Sequence, residues 1–331
     1  MNFKKLLIIL LISKDIFSFK LVKNIKKNNI IMCSNENKIQ TPNKFNSYLK
    51  LIRYKNILPT MILSFSGNFI SSQNKFIFLN NIPSTIVTIL TMSYSMIIND
   101  IFDIKIDKIN NPKRPLVTGE ISLYEALTLI VIIIKLIDNI SFYYLPINLQ
   151  NILKIVIITL SLYTPFFKKM PLVKNLVCSF IISFTLFFSG LSINNVIINK
   201  QILFIASVYV FLGALVNELL LDIVDHTGDL QNKIQTIPVI FGKYKSLKLS
   251  ANILRFNIFF TSTLLIAIYD FYKAMPIFLF TISYYFRMNN LIKKRYIDNE
   301  TLINLVKDSN IPFILSLFYL CFLSKIHLFY N

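Results

Sequence analysis

Long runs of Ile, Leu, Phe and Val recur along this 331-residue chain. Each is long enough, or nearly so, to cross a hydrocarbon layer as a helix. Only 15% of the residues are charged, where a soluble domain carries about 25%. Too little polar sequence remains to cover one large soluble core. The expected fold is therefore all-α, a multi-pass membrane bundle. Nine candidate spans lie near residues 57–74, 81–99, 121–137, 149–163, 172–191, 201–221, 249–269, 274–288 and 310–328. Pro59 and Pro83 fall in the first turns of their spans, where proline is tolerated.

The formal charge of +19 invites a nucleic-acid reading, but the lysines sit at the ends of apolar spans rather than on an aromatic-interleaved surface. Membrane topology explains that placement. With the N-terminus on one side, that side receives loops 101–120, 164–175, 222–248 and 287–309, which carry sixteen Lys and Arg. The opposite loops carry three, Lys75, Lys200 and Lys273. The basic side is thus the cytosolic, stromal or matrix-like face. Cys33, Cys178 and Cys321 lie far apart and imply neither a disulfide framework nor a metal cluster.

Residues 1–45 differ from the rest. Lys4 and Lys5 precede a short apolar run, Leu6 to Ile12, as in a signal peptide. Lys20 to Lys44 is basic and rich in Asn, with Glu36 its only acid. This segment is expected to be the two-part leader of a plastid-directed protein or a disordered basic tail beside the membrane. Mitochondrial or endoplasmic reticulum membranes are the alternative destinations. Residues 46–331 form the transmembrane domain.

Two acidic clusters stand out against this background. Six of the 16 acidic residues sit in them, each cluster at the end of a span. Asp100, Asp103 and Asp107 are spaced by three and four, and Asp222, Asp225 and Asp229 repeat that spacing. Such spacing puts carboxylates on one face of a helix. Like charges so close repel unless a cation compensates, which asks for a metal. Mg²⁺ prefers hard oxygen ligands and phosphate partners, so two facing triads suggest a metal-bridged diphosphate. Loop counting places both clusters on the basic face.

These residues carry a resemblance to the UbiA superfamily of intramembrane prenyltransferases. Asn99, Asp100, Asp103 and Asp107 match its signature N-D-x-x-D-x-x-x-D, and Asp222, Asp225, Gly228 and Asp229 match D-x-x-D-x-x-G-D. Thr236, Pro238 and Gly242 resemble the T-L-P-V-x-x-G that follows. Arg53, Asn56 and Gly67 resemble motifs near the first span, and Tyr163 with Lys168 and Lys169 the tyrosine and basic pair between the signatures. The resemblance covers about residues 48–328. It implies a cavity capped on the basic face, with Mg²⁺ held by the two aspartate triads. Asn99 would orient the first triad. Arg53, Asn56, Lys113, Arg114, Lys168 and Lys169 would contact the diphosphate, with Tyr163 beside them.

The activity implied is Mg²⁺-dependent transfer of a geranylgeranyl or phytyl chain from an allylic diphosphate to a hydrophobic acceptor. Membrane lipids surround the site, and no nucleic acid is involved. The flanking residues most resemble chlorophyll synthases and archaeal-type digeranylgeranylglyceryl phosphate synthases. A chlorophyllide-like acceptor is the first expectation, and a glycerol phosphate or a quinone precursor such as homogentisate or 4-hydroxybenzoate the alternative. A transporter would hold carboxylates mid-membrane in broken helices, whereas these sit at one edge. Intact triads also argue against a non-catalytic scaffold. Lys233 departs from the family pattern, standing where glycine is common.

Overall fold

The computed structural model describes residues 44–72, 78–163, 166, 170–193, 200–294 and 298–326. Residues 1–43, and with them nearly all of the expected leader, lie outside that set. The described residues form helices and loops. They comprise α1 (Lys44–Leu51), a 3-10 turn (Tyr54–Asn56), α2 (Ile57–Ser71), α3 (Phe78–Asn110), α4 (Pro115–Thr118), α5 (Leu123–Tyr144), α6 (Ile147–Tyr163) and α7 (Val173–Leu191). There follow α8 (Lys200–Val224), α9 (His226–Gln231), α10 (Ile237–Phe241), α11 (Lys243–Ile268), α12 (Phe271–Lys293), α13 (Asn299–Asp308) and α14 (Asn310–Ile326).

The chain is a multi-pass membrane bundle. Among the described residues, six segments are long and apolar enough to cross a bilayer: α3, α5, α7, α8, α11 and the α13–α14 segment. Each of the nine spans expected from sequence overlaps a helix, because an apolar run in lipid satisfies its backbone only by coiling. Helix α3 starts earlier than expected, at Phe78, so Pro83 lies inside it rather than in its first turn. The same helix continues through Asn110 and carries the whole first acidic cluster. Local signals set other boundaries. Ser122 caps α5 in a reciprocal box with Glu125, satisfying two backbone donors that a helix start leaves open.

Helix α8 is the centre of the bundle. In its most apolar stretch 56% of residues are buried, against 33–44% in the other five segments. Leu203, Ala206 and Tyr209 pack against α2, α7, α12 and α14. Nearer the C-terminal end of α8, Val216, Leu220 and Ile223 pack against α11, α12 and α13. Small residues let the other helices close up, as lipid-embedded packing requires. A Cβ on Gly67 in α2 would lie 3.1 Å from the Gly190 nitrogen in α7, and closer still to the Leu186 carbonyl oxygen. Ser64, beside it, shares hydroxyl hydrogen bonds of 2.8 Å with Thr85 in α3 and Ser189 in α7. This polar seam joins α2, α3 and α7.

Candidate active site

The first acidic cluster behaves as its spacing dictates. Asp100, Asp103 and Asp107 are 2%, 3% and 4% exposed, whereas Phe102, Lys105 and Lys108 on the opposite face of α3 are exposed. One helical face thus turns three carboxylates inward. Leaving a buried carboxylate without compensation costs several kcal/mol, and here arginines supply the compensation. Arg53 Nη2 donates to Asp100 Oδ1 at 2.9 Å. Arg114 pairs with the same oxygen and reaches Asp107 Oδ2 at 3.4 Å. Asn111 Nδ2 donates to Asp107 Oδ1 at 3.2 Å, while Asp107 Oδ2 is buried and accepts no hydrogen bond.

Arg53 is held there at a conformational cost. Its backbone is left-handed, with φ of 53°, which costs a non-glycine residue roughly 1–2 kcal/mol. Such strain persists only where the surroundings over-determine it, and the ion pair to Asp100 is the visible compensation. Asn56, three residues after Arg53, ends the 3-10 turn and caps α2, and its carbonyl accepts from Thr60 Oγ1 at 2.8 Å. Lys113 is exposed beside Arg114.

The second cluster departs from expectation. Its spacing predicted one continuous helical face, but the helix breaks at Asp225, between α8 and α9. Asp222 ends the buried face of α8 at 2% exposure, and Asp229 lies in α9 at 4%. Asp225, at the junction, is half-buried. The hydrogen bond from the Asp229 amide to the Asp225 carbonyl, 3.0 Å, carries the turn across the break.

Gly228 records where the two motifs meet. A Cβ on Gly228 would lie 2.8 Å from Asn110 Nδ2, and closer still to the carbon and oxygen of that amide. Only a glycine permits this approach. The end of α3 and the short helix α9 are thus in van der Waals contact through Asn110 and Gly228.

Asp222 is gripped at both oxygens by two residues that sequence reasoning did not single out. Lys174 pairs with Oδ1, and Asn175 Nδ2 donates to Oδ2 at 2.8 Å. Glu218, one turn before Asp222, lies close enough to both Lys174 and Arg53 to feel their charges. Tyr163 closes this corner, with Cys178, Glu218 and Asp222 around it. Lys174 had been counted only as one basic loop residue among sixteen. No local pattern marks its pairing, because its partner is 48 positions away. Lys168 and Lys169 lie outside the described residues. Asn99 is half-buried one residue before Asp100.

The donor set suits Mg²⁺, since every ligand on offer is a hard carboxylate oxygen and the buried Asp107 Oδ2 has no hydrogen-bond donor. Among the described residues, however, no three acidic, His or Cys side chains converge tightly enough to enclose an ion as they stand. Arg53, Arg114 and Lys174 occupy the carboxylates instead.

Comparison with known proteins accords with this arrangement. A digeranylgeranylglyceryl phosphate synthase from Methanococcus maripaludis strain C6 is 30% identical over 213 residues, 64% of this chain and 74% of its own. The protein of that name from Sulfolobus acidocaldarius is 30% identical over 220 residues, 66% and 77% of the two chains. A solved structure described as a digeranylgeranylglyceryl phosphate synthase superposes with a TM-score of 0.65 at 28% identity, over 84% of this chain and 98% of that one. A UbiA homolog from Archaeoglobus fulgidus bound to GPP and Mg²⁺ shares the fold, with a TM-score of 0.63 at 19% identity over 83% and 99%. The sequence model of the UbiA prenyltransferase family matches residues 58–302. With most of the chain inside that match and both aspartate motifs brought together at Gly228 and Asn110, this chain belongs to the UbiA prenyltransferase family.

Proposed function

We propose that the chain is a Mg²⁺-dependent prenyltransferase that moves a geranylgeranyl group from its diphosphate to the hydroxyl of a glyceryl phosphate lipid. The observation that carries this reading is the meeting of two buried aspartate sets, already balanced by arginine and lysine, at one edge of an apolar bundle. Asp100, Asp103 and Asp107 would hold one ion, and Asp222, Asp225 and Asp229 another. Bound there, Mg²⁺ neutralises the diphosphate oxygens and makes them a better leaving group. Arg53 and Arg114 would stabilise the charge that grows as the C1–O bond breaks, and the family motifs assign Lys113, Lys168, Lys169, Asn56 and Asn99 to the same diphosphate. Tyr163 would shape the corner next to Asp222. The departing electron pair stays with the diphosphate. The acceptor oxygen takes C1 and gives up its proton. The bundle around the site excludes water, which would otherwise capture the allylic cation.

The acceptor assignment departs from the first expectation, a chlorophyllide-like molecule. The similar proteins are named as digeranylgeranylglyceryl phosphate synthases, which favours the glycerol phosphate alternative. Purified chain supplied with labelled geranylgeranyl diphosphate and a panel of geranylgeranylglyceryl phosphate, chlorophyllide, homogentisate and 4-hydroxybenzoate should put label on the glyceryl phosphate alone. Label on another acceptor would overturn the choice of acceptor, and label recovered only as the free prenol would overturn transfer itself.

Nine crossings are also part of this proposal. Besides the six long segments, α2, α6 and α12 would cross, placing both acidic motifs on the basic face. Single cysteines at Lys113 and Lys233 should be labelled from one side of sealed vesicles, and labelling from opposite sides would break the topology. The segment 1–45 is proposed as a leader, and fusing it to a fluorescent reporter shows which membrane, if any, it selects.

A further inference from the structure

Lys174 sits where a lysine is locally unfavourable. It is the second residue of α7, a helix with no acid in its first turn. A helix N-terminus carries partial positive charge and disfavours a cation there. The residue that precedes α7, Leu172, has φ of 66°, a region a leucine avoids. Both costs are local, so their compensation is tertiary. Among the described residues that compensation includes the ion pair with Asp222, in which the lysine side chain is 15% exposed and the aspartate 3%. Asn175, fully buried beside it, holds the other oxygen. An ammonium and an amide thus fill the coordination space of a carboxylate assigned above to the metal.

We propose that Lys174 is a displaceable internal counter-ion of the second aspartate set, and a positioning residue for the diphosphate. This inference rests on the metal–diphosphate reading of the site. In the substrate-free protein the ammonium stands in for a metal ion at Asp222 and keeps the buried carboxylate neutralised. Lys174 would have to leave Asp222 Oδ1 before a metal ion could use that oxygen. Asn175 stays on Oδ2 and keeps the carboxylate aimed. The released ammonium, on a flexible four-carbon stem, keeps Glu218 and Asp229 as neighbours and gains a further anionic partner when a diphosphate arrives with the metal. Lys174 therefore weakens binding of metal alone and strengthens binding of metal with diphosphate. It couples the two ligands, and by linkage each tightens the other. A resting site with its own counter-ion also avoids an uncompensated cluster of buried carboxylates.

The test is a Mn²⁺ titration of the purified full chain, with free Mn²⁺ read by electron paramagnetic resonance, with and without inorganic pyrophosphate. Wild type should bind Mn²⁺ weakly alone and more tightly with pyrophosphate. In Lys174→Met, Mn²⁺ alone should bind about tenfold more tightly, since a like charge near the ion is gone. The gain from pyrophosphate should shrink by a similar factor. Lys174→Arg should keep the wild-type coupling. Lys174→Gln serves as a second neutral variant if the methionine form does not fold. Unchanged or weaker Mn²⁺ binding in both neutral variants, with pyrophosphate coupling intact, overturns the counter-ion role. Failure of wild type to bind Mn²⁺ under either condition would overturn the metal reading itself, so the two ideas fail separately.

Discussion

Replacing Gly228 with alanine should separate the two aspartate sets while leaving their ligands in place. The added Cβ would lie 2.8 Å from Asn110 Nδ2 and nearer still to the rest of that amide, well inside a contact distance of roughly 3.5 Å. Turning the amide about its last bond does not help, because the amide carbon is itself too close. Either Asn110 changes its first side-chain torsion or α9 moves away from α3. Overpacking of this kind costs roughly 1–3 kcal/mol. Alanine returns part of that, because it is about 1 kcal/mol better than glycine inside a helix. Net stability should fall by no more than about 2 kcal/mol. Activity should fall much further, since a displacement near 1 Å between catalytic groups can cost about 100-fold. The assay is label transfer from geranylgeranyl diphosphate, paired with thermal unfolding in the same detergent. The double variant Gly228→Ala with Asn110→Ala removes the clash and should recover most of the loss, measured relative to Asn110→Ala alone. Wild-type turnover in Gly228→Ala, or no recovery in the double variant, would refute the claim that this contact sets the distance between the motifs.

Other expectations follow from single side chains. Arg114→Met should lower kcat/KM about tenfold or more, because Arg114 Nη1 brings one positive charge to both Asp100 and Asp107 and its loss leaves buried carboxylates uncompensated. Steady-state kinetics with varied diphosphate checks it. Lys233 has φ of 56°, which explains why glycine is common at that place. Lys233→Gly should relieve about 1 kcal/mol of backbone strain, raise the thermal midpoint slightly and leave turnover alone, and a lower midpoint counts against that account. Burial, and then the charge of Lys243, hold the His226 imidazole below its ordinary value of 6.5, and its buried Nδ1 has no hydrogen-bond partner. The neutral ring therefore stabilises the fold above pH 6.5, and that contribution is lost as pH falls through the lowered pKa. Thermal midpoints measured from neutral to acidic pH should drop less steeply in His226→Gln than in wild type.

Much of the bundle was legible because membrane helices advertise themselves through the length of their apolar runs. Even the shared face of Asp100, Asp103 and Asp107 could be read from their intervals, since a helix of any origin places three-and-four neighbours on one face. The break at Asp225 could not. Its spacing is the same whether the helix runs on or is interrupted, and only the backbone, which leaves the helix at Asp225, shows which. Lys174 was hidden for a different reason. A lysine near the end of an apolar span has a sufficient explanation in topology, so nothing marked it as the partner of Asp222. The choice of acceptor was likewise beyond the motifs, which bind the diphosphate that all such substrates share. The names of similar proteins, not the residues around the aspartates, point to a glyceryl phosphate.

The central claim is that both aspartate sets act as one Mg²⁺–diphosphate site. Release of diphosphate from geranylgeranyl diphosphate, measured with and without Mg²⁺ in wild type, Asp100→Asn and Asp222→Asn, tests it directly. Each substitution keeps the side-chain shape and removes one charge, one from each set. Release should require Mg²⁺ in wild type and fall at least about 100-fold in either variant. Turnover that persists with the metal chelated, or that survives loss of either aspartate, would contradict the account.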